Sequence, residues 1–209
     1  MRRGPVHVFV FAKWPALGRV KSRLAADTGP VFAAHFARLC TERVLRSLAR
    51  DRRITLHLAV SPDRWVSDPI RCWRLADRRL GQGDGDLGAR MARALSAPLA
   101  GPKIVVGCDL PGLDATKLNR AIHALGRNDL VFGPAGDGGY WLVGWRGDRP
   151  LPPGFLQNVR WGGPQALADS RADLPSNCRI HLVETIYDVD KLEDMERACR
   201  GLTPPWKMP

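Results

Sequence analysis

The chain has 209 residues, 44% of them hydrophobic, with 21 Gly and 17 Pro, and 32 Lys plus Arg against 21 Asp plus Glu give it a formal charge of +11. This composition suits a globular chain with material for a core and many enforced turns, and it excludes disorder, collagen and coiled coil. The charge is uneven, because residues 1–100 hold 19 bases and 8 acids while residues 101–209 hold 13 of each.

In chain order, Val6 to Ala12 is a short, nearly continuous apolar run, the pattern of a strand buried on both faces of a parallel sheet. Phe32, Phe36, Cys40, Val44 and Leu48 then recur every four positions and predict an amphipathic helix over 31–50, with Thr28 or Asp27 as its cap. Ile54 to Val60 reads as a second strand, Cys72 to Leu75 as a weaker one, and Leu87 to Leu95 as a helix. Lys103 to Cys108 is a further strand ending in Asp109, and Asp114 caps a helix through Leu125. Asp129 to Phe132 and Tyr140 to Trp145 are strands on either side of a glycine turn. Pro164 to Ser170 is a short helix, Arg179 to Val183 a strand and Asp190 to Arg200 a last helix. Alternation at this spacing predicts a three-layer α/β fold with a mostly parallel sheet and a mixed edge or lobe after residue 129. With no internal repeat and no dividing linker, residues 1–209 are expected to be one domain.

Ligands of such sheets bind beyond the carboxyl ends of the strands, which selects four loops: 13–23, 81–90, 109–114 and 133–139. The first carries Lys13, Arg19, Lys21 and Arg23 within eleven residues, with Gly18 allowing a close turn, and offers a di- or triphosphate both charge and donors. Gly83-Asp-Gly-Asp-Leu-Gly88 matches a dinucleotide fingerprint literally, yet Asp84 and Asp86 would repel a pyrophosphate, so a turn with Asp86 capping the next helix is expected. Asp109 at a strand tip suits a divalent metal that a diphosphate completes, with helix capping as the plainer alternative. Asp137 lies among Gly136, Gly138 and Gly139, which suits either close backbone approach to a ligand or a plain hairpin turn. Asp190 serves equally as a helix cap paired with Glu193 or as a second metal ligand.

The five histidines have no metal-pair spacing and read as structural, Cys108 reads as a strand residue, and no nucleophile elbow is present. The cysteines stand at least twenty residues apart, which suggests neither a zinc knuckle nor a disulfide framework. Trp14, Trp141, Trp145 and Trp161 fall in or near the loops, where they would stack on a base or sugar or else pack in the core. The apolar run before Lys13 is too short for a signal segment or a membrane span, so a soluble, cytoplasmic protein without membrane insertion is expected.

Phe11-Ala-Lys-Trp-Pro-Ala-Leu-Gly-Arg-Val-Lys-Ser-Arg-Leu24, Gly85-Asp-Leu-Gly-Ala-Arg-Met91, Gly107-Cys-Asp-Leu-Pro-Gly-Leu113, Gly133-Pro-Ala-Gly-Asp-Gly-Gly-Tyr140 and Asn158-Val-Arg-Trp161 form a collinear set. In order and spacing the set resembles a bacterial glycosyltransferase-A-like family, some of whose members are named arsenosugar-biosynthesis glycosyltransferases. The resemblance implies the nucleotide-diphospho-sugar transferase fold, a Rossmann-like α/β/α sandwich shared with molybdenum-cofactor guanylyltransferases. It further implies nucleotide and phosphate binding at Lys13, Gly18, Lys21, Arg23 and Asp109, a metal (Mg²⁺ or Mn²⁺) at Asp109 and Asp190, and catalytic roles for Lys21, Asp109 and Asp137. Asp137 falls in the family's Asp-Gly-Gly-Tyr motif on the acceptor side. The Gly-rich first loop of the guanylyltransferases is absent, and Trp161-Gly162-Gly163 lacks the hydroxyl residue that follows the family's Trp.

The expectation is therefore a metal-dependent transferase that takes a nucleotide sugar or nucleoside triphosphate and a small acceptor of unknown identity, with glycosyl transfer preferred. A nucleotidyltransferase releasing pyrophosphate is the alternative, and a non-enzymatic nucleotide- or nucleic-acid-binding protein the second. Nucleic acid is disfavoured because the chain shows neither a recognition helix nor an aromatic RNP-like motif.

Overall fold

The computed structural model describes residues 4–172, 174–187, 189 and 192–199. Its strands are β1 (Val6–Lys13), β2 (Ile54–Ser61), β3 (Arg78–Gly81), β4 (Lys103–Gly107), β5 (Leu130–Pro134), β6 (Tyr140–Trp145) and β7 (Ile180–Leu182). Its α-helices are α1 (Ser22–Thr28), α2 (Pro30–Leu48), α3 (Leu87–Leu95), α4 (Ala115–Leu125), α5 (Ala166–Ala172) and α6 (Leu192–Cys199).

The strands form one sheet in the order β3-β2-β1-β4-β6-β5-β7. All neighbours are parallel except β6, which runs antiparallel to both β4 and β5. Apolar runs buried on both faces make this a three-layer α/β/α sandwich. On one face Val8, Val10, Leu56, Leu58, Ile104 and Val106 pack with Val44 and Leu48 of α2 and Leu118 and Leu125 of α4. On the other, Phe9, Val105, Phe132 and Val143 pack with Met91 and Leu95 of α3 and with Phe155 and Leu156. Each fully buried Val, Leu or Phe contributes about 1.5–3 kcal/mol of transfer free energy. The sheet is therefore a stiff base for the loops at its carboxyl edge. None of the described helices is long and apolar enough to cross a membrane.

The strands after residue 129 form the mixed end of the sheet, as expected, with the β5–β6 hairpin inserting antiparallel β6 between β4 and β5. Three details differ from the sequence reading. Cys72 to Leu75 lies in a 3₁₀ turn spanning Arg71–Leu75, where Cys72 and Trp73 join the same core as Val44 and Leu48 of α2. The edge strand is instead Arg78-Arg79-Leu80-Gly81, mostly solvated and so lacking a hydrophobic signal. Helix α2 is preceded by Gly29 and starts at Pro30, not at a Thr28 or Asp27 cap. Thr28 Oγ1 donates to the Leu24 carbonyl and Asp27 accepts from the Leu192 N–H, so both side chains serve α1 and α6 instead. The caps Asp86 and Asp114 are as expected, each accepting the N–H three residues on, from Ala89 (2.8 Å) and Lys117 (2.9 Å).

Candidate functional site

Asp109 follows β4 and its side chain is 39% exposed. Its carboxylate meets the ammonium of Lys21 at 2.6 Å, with the Lys21 side chain only 7% exposed. Lys21 adopts the left-handed conformation (φ 49°, ψ 50°) just before α1. A non-glycine residue there costs about 1–2 kcal/mol. The first loop thus carries local strain at the residue that reaches across to the end of β4. Lys13, Lys21, Arg23, Thr41 and Asp109 line one cavity of about 310 Å³ above β1 and β4.

Two further cavities continue this one along the rim. On the β2 side Lys13 also borders a space of about 330 Å³ lined by Trp14, Arg19, Arg64 and Trp65. There Trp14 stacks on Trp65 (centroids 4.2 Å apart, planes 12° from parallel) and donates its N–H to Asp68 at 2.9 Å, while the Arg64 guanidinium lies 5.7 Å from the Trp65 centroid. On the β6 side Asp109 also borders a space of about 240 Å³ with Leu87, Met91, Leu110, Asp137, Tyr140, Trp141 and Trp161. The three spaces follow the strand order of the sheet. Cations line the β2 and β1 end, and Asp109 and Asp137 are the charged groups at the β6 end.

Asp137 sits at the tip of the β5–β6 hairpin, exposed, with Oδ1 accepting the Gly139 N–H at 2.9 Å. Gly138 beside it has φ +87°, and a Cβ there would fall 2.3 Å from the Pro164 carbonyl oxygen, so only glycine lets the hairpin close onto the 161–167 segment. That segment is pinned by Arg160, whose Nε and Nη2 each donate to Asp169 at 2.8 Å. These bonds hold the Asp169 carboxyl down at about 2. Burial pushes the Tyr140 phenol up, against the hydroxyl of Ser170, so Tyr140 remains protonated and is no base. Burial, together with the Asp109 charge, pushes the Cys108 thiol up to about 11, which leaves it a neutral thiol at neutral pH.

The predicted residues Lys13, Lys21, Arg23 and Asp109 are therefore brought together, and Asp137 joins Asp109 in the adjoining space. Gly18 (φ +71°) shapes the exposed first loop and lines none of these spaces. Asp190 lies outside the described residues. No group of three or more His, Cys, Asp and Glu side chains suited to a metal occurs among the described residues. Asp109 alone fits a magnesium-type site, since such an ion takes one or two protein carboxylates and fills its shell with substrate oxygens. The Gly83–Gly88 turn behaves as a cap, with Arg93 donating to the carbonyls of Gln82 and Asp84. His7 and His57 are buried partners of each other at 3.1 Å and stand apart from the rim. Trp141 and Trp145 are almost fully buried, while Trp14 and Trp161 are partly open. Sequence reasoning missed Arg64 and Trp65, although the strand-end rule applied to β2 would have reached Ser61 to Trp65. Thr41 carries no sequence signal, since it sits on a helix face that reads as ordinary core.

The model of the family described as "Uncharacterized protein conserved in bacteria (DUF2064)" matches residues 44–163, more than half of the chain. No curated protein matches it. Among solved structures, a Desulfovibrio desulfuricans G20 protein provisionally named a nucleotide-diphospho-sugar transferase is similar at 26% identity and TM-score 0.83, over 97% of this chain and 89% of that one. The 4-diphosphocytidyl-2C-methyl-D-erythritol synthase of Anaerococcus prevotii DSM 20548 shares the fold at 13% identity and TM-score 0.61, over 95% and 98% of the two chains. A CMP:2-keto-3-deoxy-manno-octonic acid synthetase complexed with CTP does so at 11% identity and TM-score 0.54, over 95% and 98%.

Proposed function

The chain belongs to the bacterial DUF2064 family, and from that premise we propose that residues 1–209 form one transferase domain that takes a nucleotide sugar and moves its glycosyl group to a small acceptor. The observation that carries this reading is that one carboxylate, Asp109, borders both a cationic cavity and a carboxylate-and-aromatic one. A donor diphosphate suits Lys13, Lys21 and Arg23, and its base and ribose suit the adjoining space beside Trp14 and Trp65. The names of the solved neighbours support nucleotide-linked substrates. An Mg²⁺ or Mn²⁺ ion held by Asp109, with Asp190 as its second ligand, would neutralise diphosphate charge.

The chain's own residues then account for the rest. Asp137 takes the proton of the acceptor hydroxyl, whose oxygen bonds to the anomeric carbon as the bond from that carbon to the diphosphate oxygen breaks. Lys13, Lys21 and Arg23 stabilise the negative charge that develops on the departing nucleoside diphosphate. The ion pair between Lys21 and Asp109 keeps the ammonium next to that position before substrate arrives.

A second reading, nucleotidyl transfer with release of pyrophosphate, has in its favour that the same three cations also suit a triphosphate. Product analysis tests the choice. Nucleoside diphosphate released from a panel of nucleotide sugars supports the first reading, and pyrophosphate released from nucleoside triphosphates replaces it with the second. If neither product forms and thermal shift detects no nucleotide, with or without Mg²⁺ or Mn²⁺, both readings fail.

A further inference from the structure

The Lys21 ammonium contacts Oδ2 of Asp109 at 2.6 Å, one of the two oxygens this carboxylate could offer to a metal. The Lys21 side chain is only 7% exposed, so taking Asp109 away without a replacement would strip a poorly hydrated charge of this partner. The main chain of Lys21 is fixed at the head of α1, where it is left-handed and its carbonyl accepts the Ala25 N–H at 2.8 Å. A change of partner must therefore come from the four-carbon side chain, not from the loop.

Both groups line the cavity of about 310 Å³ together with Lys13 and Arg23. Among the described residues its walls thus carry three cations against one carboxylate, and that balance repels a divalent ion. A diphosphate reverses the balance. Its oxygens accept from the three cations, which gives Lys21 a second partner within the same cavity, and they also supply the ligands that a magnesium-type ion takes from its substrate.

We propose that Lys21 holds the cation position at Asp109 until a diphosphate arrives, so that the site binds nucleotide first and takes the ion only after Lys21 has turned from Asp109 to a phosphate. Lys21 is then a positioning residue for the ion as well as a phosphate ligand. The proposal rests on the transferase reading for the diphosphate, while the competition between Lys21 and the ion follows from the ion pair itself.

Water-proton relaxation and calorimetry with Mn²⁺ on the full chain test it. The metal is titrated alone and then with UDP or GDP, and each titration is repeated without protein to subtract the metal–nucleotide complex. The native chain is expected to bind Mn²⁺ alone at least about tenfold more weakly than Lys21→Met, which lacks both the competitor and its charge. Lys21→Gly should behave in the same way and removes the left-handed strain, so it serves where the methionine variant folds poorly. Adding Asp109→Asn to either variant should abolish the gain. UDP or GDP should raise the Mn²⁺ affinity of the native chain at least about tenfold, and that of the Lys21 variants by less. Native binding of Mn²⁺ alone as tight as in the Lys21 variants overturns the proposal. So does a native Mn²⁺ affinity that bound UDP or GDP leaves unchanged. If neither nucleotide binds while the Lys21 variants gain Mn²⁺ through Asp109, the transferase reading falls and the competition at Asp109 stands.

Discussion

The cavity on the β1 side of Asp109 draws Lys13, Lys21 and Arg23 from one stretch of eleven residues, whereas the cavity on its β6 side gathers Leu87, Met91, Asp137, Tyr140 and Trp161 from α3, a hairpin and the 158–163 loop. The first is cationic and contains the ion pair of Lys21 with Asp109. The second contains carboxylates and aromatic faces. Under the proposed function, the shared carboxylate joins a cavity that would hold an anion to one that would accept a proton. Such an arrangement can separate donor binding from acceptor activation, and each half should fail in its own way.

The largest expected effect comes from the shared residue. Asp109→Ala should lower kcat/KM on the order of 10³-fold and remove the metal dependence of nucleotide binding by calorimetry. Undiminished metal-linked binding in that variant would sink the metal assignment. Lys21→Met should cost about 10²-fold in kcat/KM, with nucleotide affinity reduced. In Asp137→Asn the pattern should reverse, with kcat lower by about 10²-fold and nucleotide Kd unaltered. If Lys21→Met and Asp137→Asn shift the same ligand equally, the division between the cavities is wrong.

A fourth expectation concerns the sheet beneath both cavities. Burial, with help from His7 and Arg78, pushes the His57 imidazole down to about 4. Its ordinary value is 6.5, so the unfolded chain binds the proton more readily, and the stabilising contribution is full above about 6.5 and lost as pH falls toward about 4. A shift of that size amounts to about 3 kcal/mol, and denaturant titrations at pH 7 and pH 4.5 should reveal most of it. The smallest effect is expected from Arg160→Ala, which frees the loop carrying Trp161 but removes a mainly exposed ion pair. Acceptor KM should rise by no more than about tenfold while nucleotide Kd stays fixed.

How much was legible in the sequence differs between the same two regions. The cationic loop was readable because its charges are close in sequence and follow an unmistakable apolar strand, and the Asp86 and Asp114 caps were readable because capping is a local interaction. The strand at Arg78–Gly81 was not, since an edge strand needs no apolar face and this one has two arginines. Nor was α1, a seven-residue helix with no side-chain cap, which begins at a left-handed lysine. Asp137 could be selected by its glycines, but nothing in the sequence shows that Gly138 brings it against the 161–167 segment.

The sequence alone determined the α/β class, the positions of most strands and helices, and which loops carry cationic and acidic residues. These follow from periodicity and capping, which act within a few residues. Only the tertiary structure decided that β6 runs antiparallel inside the sheet, that Lys21 pairs with Asp109 across 88 positions, and that cations and carboxylates occupy opposite ends of one rim. Those outcomes depend on which strands become neighbours, and that is set by packing both faces of the sheet at once.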